Sequence, residues 1–176
     1  MQRWKSKLQV RGVIMKKVVK FGGSSLANAE QFQKVGDIIR SDESRRYVVP
    51  SAPGKRFDED IKVTDMLYGC YDAASKGEDI TEKLNAIKER YYEIIKGLGL
   101  SLSLEEEFKK IDEDFRAQAG IQYAASRGEF LNGKIMAAYL GYDFVDAATV
   151  IRFDKDGNLE AEETNKLLSK KLSKSQ

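Results

Sequence analysis

The sequence contains no histidine and a single cysteine, Cys70. Without an imidazole, the chain cannot form a Ser-His-Asp triad, a Cys-His pair or a histidine zinc site. One cysteine excludes a disulfide within the chain and a multi-cysteine zinc site, and it favours a cytoplasmic location. Cys70 lies in an apolar helical pattern between Gly69 and Tyr71, which predicts a buried structural thiol rather than a nucleophile.

Long apolar runs and an excess of either charge are also missing. No run approaches the roughly 20 residues of a membrane span, so we predict no membrane partner. The 30 basic and 28 acidic residues leave a net charge of +2 and are interspersed, so nothing indicates nucleic-acid binding. At 176 residues and 41% hydrophobic content, the chain is long enough to bury the core of one domain.

The first 14 residues differ from the rest of the chain. They are basic and polar and lack the apolar core of a secretory signal. Met15 stands directly before the first predicted strand, where a natural start would lie. We therefore predict a flexible extension over residues 1–14 and a folded domain over 15–176.

The most informative motif is VVKFGGSS, residues 18–25. A short apolar strand carries Lys20 near its end and turns through Gly22 and Gly23 into a helix that we expect to begin near Leu26. Glycines let backbone N–H groups approach an anion closely, a helix N-terminus adds partial positive charge, and lysine adds a full charge. The motif is neither a Walker P-loop nor a dinucleotide fingerprint. A phosphate cradle and a purely structural turn both remain open.

Two further motifs carry polar residues. VPSAPGK, residues 49–55, is a strand end followed by a loop whose Pro and Gly are also typical of a simple turn. Thr64 and Asp65 are predicted to cap the next helix. SRGE, residues 126–129, has two interpretations: a capping box with Ser126 as N-cap, or a carboxylate, Glu129, that receives a substrate ammonium group.

Strand and helix patterns alternate along the chain, and Gly141 is a predicted C-cap. This alternation predicts an α/β fold, a three-layer α/β/α sandwich with a mainly parallel sheet. Ligands then collect at the C-terminal ends of the strands, where the first two motifs fall. Predicted strands cover residues 18–21, 47–50, 142–146 and 150–153, and predicted helices cover 28–40, 64–71, 84–95, 108–119, 130–140 and 162–172.

The three motifs together resemble those of the aspartokinases, within the amino-acid kinase family. VKFGGSS at 19–25 resembles the opening motif, and VPSAPGK at 49–55 with KVTD at 62–65 resembles the second loop and its following helix. SRGE at 126–129 with FVDA at 144–147 resembles the third signature. The resemblance extends over residues 15–176 and implies an incomplete amino-acid kinase fold.

The resemblance implies phosphoryl transfer from ATP to L-aspartate, giving 4-phospho-L-aspartate and ADP, with Mg²⁺ carried by the nucleotide. Lys20 would be the catalytic residue that neutralises charge on the transferring phosphoryl group. Gly22, Gly23 and Ser24 would hold the terminal phosphates.

The same resemblance assigns the substrate contacts. Ser51 and Thr64 would contact aspartate, and Glu129 would pair with its ammonium group. Two alternatives remain: a kinase for another small acid such as glutamate or acetylglutamate, or a non-catalytic module that binds phosphate or a partner chain.

Aspartokinases are longer than this chain, and the resemblance implies that it corresponds to the N-terminal part of the catalytic domain. In the family, later residues supply a catalytic aspartate, a substrate-binding arginine and most of the nucleotide-base pocket. We therefore expect no aspartate-dependent ADP release from the chain alone. We also expect an unpaired sheet edge that is open to homo-oligomerisation.

Overall fold

The computed structural model describes residues 15–173, so the extension predicted at 1–14 lies outside the described residues. Within this range, two 3-10 turns, Gly23–Leu26 and Ala147–Thr149, accompany the strands and α-helices. No helix in this range is both long enough and apolar enough to cross a membrane. The strands are β1 (Lys17–Phe21) and β2 (Arg45–Pro50), and the helices are α1 (Ala29–Arg40), α2 (Val63–Ser75), α3 (Thr81–Gly97), α4 (Glu105–Arg116), α5 (Ile121–Leu140) and α6 (Ala161–Leu172).

The sheet is formed by β1 and β2, which pair in parallel from Lys17 opposite Arg45 to Phe21 opposite Pro50. One face carries Val19, Phe21 and Val48, which pack against the helical core. The opposite face is open: Val18 is 69% exposed and Val49 48% exposed. The predicted α/β class and parallel pairing are therefore confirmed, and helices cover one face of the sheet within residues 15–173.

The core lies mainly among helices α1 to α5. Each of these helices places apolar residues on one face at helical spacing, as the sequence predicts. Phe32, Tyr91 and Phe115 are the largest fully buried side chains. The Phe115 ring meets the rings of Tyr71 and Tyr123 edge to face, at centroid distances of 5.5 Å and 6.3 Å. Cys70 is also fully buried, and burial raises the pKa of its thiol to about 11, as a structural cysteine requires.

The strands predicted at 142–146 and 150–153 are wrong. Residues 142–146 form no strand, and Phe144 packs its ring against Phe130 at 5.4 Å instead. Asp146 then starts a 3-10 turn, because its side chain accepts a hydrogen bond from the Ala148 N–H at 3.0 Å. Further on, Phe153 makes only an isolated antiparallel bridge with Leu159.

The predicted helix after the glycine turn also begins later than expected. Gly23–Leu26 is a 3-10 turn, and α1 starts at Ala29. Asn28 caps α1 by accepting the Gln31 N–H at 3.0 Å, because a short carbonyl side chain at this position satisfies an otherwise unpaired donor. At the far end of α5, Gly141 adopts the left-handed conformation, with φ of 70°, so the predicted C-cap is confirmed.

Truncation of Phe115 provides a test of this core. Phe115→Ala should lower the free energy of unfolding by about 3–5 kcal/mol, because it leaves a cavity between two aromatic rings. Urea denaturation followed by circular dichroism measures this change. Phe153→Ala is the matched control, since Phe153 is 61% exposed; an equal loss in both variants would contradict the assignment of the core.

Candidate active site

The loops that follow β1 and β2 touch through their backbones. The Gly54 N–H donates to the Gly23 carbonyl at 2.8 Å, and the Ser51 N–H donates to the Phe21 carbonyl at 3.0 Å. A Cβ on Gly23 would lie 2.8 Å from the Ala52 oxygen, and one on Gly54 would lie 2.6 Å from the Gly23 carbonyl carbon. Both positions therefore require glycine for close approach, and the first two motifs form one structural unit.

Gly22 is different from the other two glycines. Its φ of −79° is accessible to any residue, and a Cβ there would meet no atom within 4 Å. Neither backbone conformation nor packing among residues 15–173 therefore demands a glycine. A backbone kept bare and open to solvent is the arrangement that lets a ligand approach its N–H groups closely.

Lys20 stands at the end of β1, opposite Val49 in the parallel register. Its side chain is exposed and forms no ion pair or hydrogen bond with any residue in the range 15–173. Ser24, in the adjoining 3-10 turn, is also exposed. A lysine and a bare glycine turn thus border the same strand end.

Glu129 reaches this region from α5. The helix begins at Ile121, so Ser126 lies inside it and its hydroxyl donates to the Tyr123 carbonyl at 2.7 Å. The capping-box interpretation is therefore wrong, because the helix extends upstream of the motif. Instead, Glu129 Oε1 accepts the Ala52 N–H at 3.3 Å, and this exposed carboxylate has no ion-pair partner in the described part of the chain.

Close packing brings α5 to the second loop. A Cβ on Gly128 would lie 2.7 Å from the Ala52 Cβ, so glycine here allows the helix to approach the loop. The buried Tyr91 hydroxyl donates to the Gly128 carbonyl at 2.8 Å. Burial raises the pKa of Tyr91, and the negative charge of Glu129 raises it further, so this tyrosine stays a neutral donor.

The helix that follows the second loop starts one residue earlier than predicted. α2 begins at Val63, with Lys62 at the N-cap position and no side-chain cap, so the prediction that Thr64 and Asp65 cap it is wrong. The Val63 N–H donates to the Pro53 carbonyl at 3.2 Å and ties the helix to the loop. Thr64 is half-buried in the first turn of α2, directly after this connection.

The sequence interpretation missed the buried cation that supports the second loop. Arg90 on α3 donates to the Gly54 carbonyl at 2.8 Å and the Ile61 carbonyl at 3.0 Å. It also lies 3.0 Å from the Asp60 carboxylate, with side chains only 4% and 9% exposed. A hydrogen bond from Arg56 is the main cause that lowers the pKa of Asp60. The sequence did contain a sign of this buried cation, because Arg90 lies within the apolar stripe of α3.

Asn132 on α5 was also missed. It is fully buried, and its Nδ2 donates to the Ser51 carbonyl at 2.6 Å. The sequence signal was an amide between Leu131 and Ile135, on the buried side of a helix whose neighbours there are apolar. The structure thus brings Glu129 next to Ser51, because Glu129 binds the neighbouring residue Ala52 of the second loop. It also places Gly23 against that loop.

A comparison with known proteins identifies the family. The sequence model of the Amino acid kinase family matches residues 15–174. The chain belongs to the amino acid kinase family. The family is the one that the three sequence motifs resemble.

Curated members of the family with similar sequences are aspartokinases. Aspartokinase 3 of Bacillus subtilis (strain 168) is 40% identical over 142 residues, which are 76% of this chain and 31% of that protein. Aspartokinase 1, chloroplastic, of Arabidopsis thaliana is 32% identical over 133 residues, which are 70% of this chain and 23% of that protein. The chain thus spans less than a third of the length of either relative.

Solved structures of aspartokinases share the fold. The aspartate kinase of Clostridium acetobutylicum superposes with a TM-score of 0.88 at 42% identity, covering 92% of this chain and 37% of that one. E. coli aspartokinase III in complex with aspartate and ADP gives a TM-score of 0.72 at 24% identity, covering 88% and 37%. The second likeness concerns the fold alone.

The two glycines of the first loop should respond differently to substitution in this amino acid kinase family member. Gly23→Ala should lower the free energy of unfolding by about 1–3 kcal/mol, because the new Cβ meets backbone atoms that cannot move aside. Gly22→Ala is the matched control and should leave stability unchanged, since its Cβ meets open space. Urea denaturation measures both, and equal stabilities would contradict the loop contact.

Asp60, which accepts hydrogen bonds from Arg56 and also lies against Arg90, should make stability depend on pH. Asp60 has a lowered pKa in the folded chain, mainly because of the hydrogen bond from Arg56. Its contribution to stability is therefore complete above the unfolded pKa of about 4 and is lost progressively as the pH falls from there through the lower folded pKa. Asp60→Asn should therefore cost about 2 kcal/mol at pH 7, with the difference from the parent narrowing towards pH 3. Urea denaturation of both chains at several pH values measures this difference. If it stays the same from pH 7 to pH 3, the stabilising role of the ionised Asp60 carboxylate is wrong.

Proposed function

We propose that this chain supplies the phosphate-binding loop and the ammonium-binding carboxylate of an aspartate kinase. The reaction is transfer of the γ-phosphoryl group of ATP to the side-chain carboxylate of L-aspartate, giving 4-phospho-L-aspartate and ADP. The named aspartokinase relatives support this choice of substrate. Because the chain spans only part of their length, turnover is proposed for the whole protein that contains this segment.

One observation carries the proposal. Two loops joined at Gly23 and Gly54 adjoin a lysine, Lys20, and a glutamate, Glu129, and neither charge has an ion-pair partner within residues 15–173. A nucleoside triphosphate and an amino acid bring the matching charges, a polyphosphate for the lysine and an ammonium group for the carboxylate. A purely structural turn would need neither charge.

Lys20, Gly22, Gly23 and Ser24 are proposed to bind the terminal phosphates of ATP. The bare backbone at Gly22 allows close approach of the anion, and Lys20 compensates the charge that develops during transfer. Mg²⁺ is proposed to arrive bound to the phosphate oxygens, as the small, reluctantly dehydrated cation usually does. No residue of this chain is assigned to the metal.

Ser51, Thr64 and Glu129 are proposed to bind aspartate. Glu129 pairs with the ammonium group, and the two hydroxyl side chains offer hydrogen bonds at the second loop and at the start of α2. A carboxylate–ammonium pair favours an amino acid with a free amine over its N-acetylated counterpart. This contact therefore argues against acetylglutamate as the substrate.

The chemistry does not need a strong base. The side-chain carboxylate of aspartate is already ionised at neutral pH, so its oxygen can attack the γ-phosphorus directly. The bond between the γ-phosphorus and the β,γ-bridging oxygen breaks, and ADP leaves with that oxygen. Catalysis then consists of positioning the two anions and offsetting their repulsion, which suits a chain without histidine.

Isothermal titration calorimetry of the purified chain tests the proposal. We expect binding of Mg·ATP and of L-aspartate, weaker binding of L-glutamate, and none of acetylglutamate. Stronger binding of glutamate than of aspartate would favour a kinase for that acid. If the chain binds neither nucleotide nor amino acid, the alternative of a non-catalytic interaction module is favoured. The open face of the sheet would then be the surface to test for self-association.

Neutralisation of Lys20 gives a specific test of the phosphate site. Lys20→Met should weaken Mg·ATP binding at least about 10-fold, because it removes a charge next to the phosphates but keeps an apolar side chain of similar length. Lys16→Met is the matched control, since Lys16 is exposed near the other end of the same strand. Equal affinities of the two variants in calorimetry would rule out a phosphate contact by Lys20.

A further inference from the structure

A single peptide group of the second loop is held from both sides by α5. The Ser51 carbonyl and the Ala52 N–H belong to the same peptide unit and point in opposite directions. Asn132 Nδ2 donates to that carbonyl at 2.6 Å, and Glu129 Oε1 accepts from that N–H at 3.3 Å. The two side chains are three residues apart on α5 and therefore lie on one face of the helix.

Stability does not account for Asn132. The side chain is fully buried, and its Oδ1 has no hydrogen-bond partner in the part of the chain that the structure describes. A buried polar atom without a partner is unfavourable, and a leucine of similar volume would avoid this cost. Asn132 is therefore costly to bury, and it contacts the second loop through one short hydrogen bond. We look for its role in that contact rather than in the stability of the core.

We propose that Asn132 is a positioning residue of the aspartate site, an inference that rests on the proposed function. Together with Glu129 it fixes the plane of the Ser51–Ala52 peptide, which we call the clamped peptide. The clamp sets where the Ser51 side chain stands at the end of β2. It also holds one oxygen of Glu129 on the loop and leaves the other oxygen to accept the ammonium group.

The two contacts of the clamp are unequal. The Asn132 bond is short and its donor residue is fully buried, whereas the Glu129 bond is longer and its acceptor belongs to an exposed residue. Without Asn132, the peptide would be oriented from α5 by the longer bond alone. The Ser51 hydroxyl and the Glu129 carboxylate would then both lose their fixed positions, although neither residue had been changed.

Asn132→Leu tests the clamp with two readouts. Amide hydrogen exchange measured by NMR should be at least about 10-fold faster at Ala52, because the peptide gains freedom. The Kd for L-aspartate in calorimetry should rise at least about 10-fold, with Mg·ATP affinity unchanged and the urea midpoint not lowered. A residue with a merely structural role would lower the midpoint and leave the Kd unaffected.

Asn132→Asp adds a pH-dependent rescue. An ionised carboxylate cannot donate to the Ser51 carbonyl, whereas the protonated acid can, and burial raises the pKa of such a carboxyl. Aspartate affinity relative to the parent chain should therefore be low at pH 8 and recover towards pH 5. Because the Glu129 carboxyl group lies on the same helix, each comparison is made with the parent chain at the same pH. Asn132→Leu should show no such recovery.

The outcomes separate this inference from the proposed function. Unchanged aspartate affinity in Asn132→Leu, or unchanged exchange at Ala52, would overturn the positioning role. If the parent chain binds no aspartate, the proposed function fails, and the role of Asn132 in the aspartate site fails with it; the Ala52 exchange rate then still decides whether the peptide is clamped. If Asn132→Asp does not fold, the leucine variant decides alone.

Discussion

The backbone contact between Gly23 and Gly54 is the constraint on which the candidate site depends. It places the loop after β1 against the loop after β2 so closely that neither glycine tolerates a side chain. Parallel pairing of the strands brings their ends to one edge, and this contact turns two neighbouring loops into one surface. Lys20, Ser51 and the bare backbone at Gly22 all take their places from it.

The second loop is held by hydrogen bonds from α2, α3 and α5. The Val63 N–H of α2 binds the Pro53 carbonyl, Arg90 of α3 binds the Gly54 carbonyl, and Asn132 of α5 binds the Ser51 carbonyl. Carbonyl groups three residues or fewer apart are thus bound by groups from three different elements. A loop fixed in this way acts as part of a rigid scaffold, which is what accurate positioning of two anionic substrates requires.

The sequence was sufficient for features that depend on local periodicity and turn chemistry. It predicted β1, β2, the main helices, the C-cap at Gly141 and the burial of Cys70. It was insufficient where a distant partner decides the outcome. Residues 142–146 have strand-like alternation but meet Phe130 instead of a neighbouring strand. The SRGE segment has the composition of a capping box, yet the helix extends upstream to Ile121. Arg90 and Asn132 both bind carbonyl groups of the second loop, 36 and 81 residues away along the chain, which no local pattern can predict.

The open face of the sheet has a consequence for local stability. Val19 and Phe21 of β1 are only partly buried, whereas α3 and α5 carry several side chains with no exposure at all. Opening of the sheet end should therefore require less free energy than opening of the helical core. The first loop is joined to the less stable part, and Glu129 belongs to the more stable one. A ligand that bridges Lys20 and Glu129 would link the two parts, and some of its binding free energy would go into ordering the strand end.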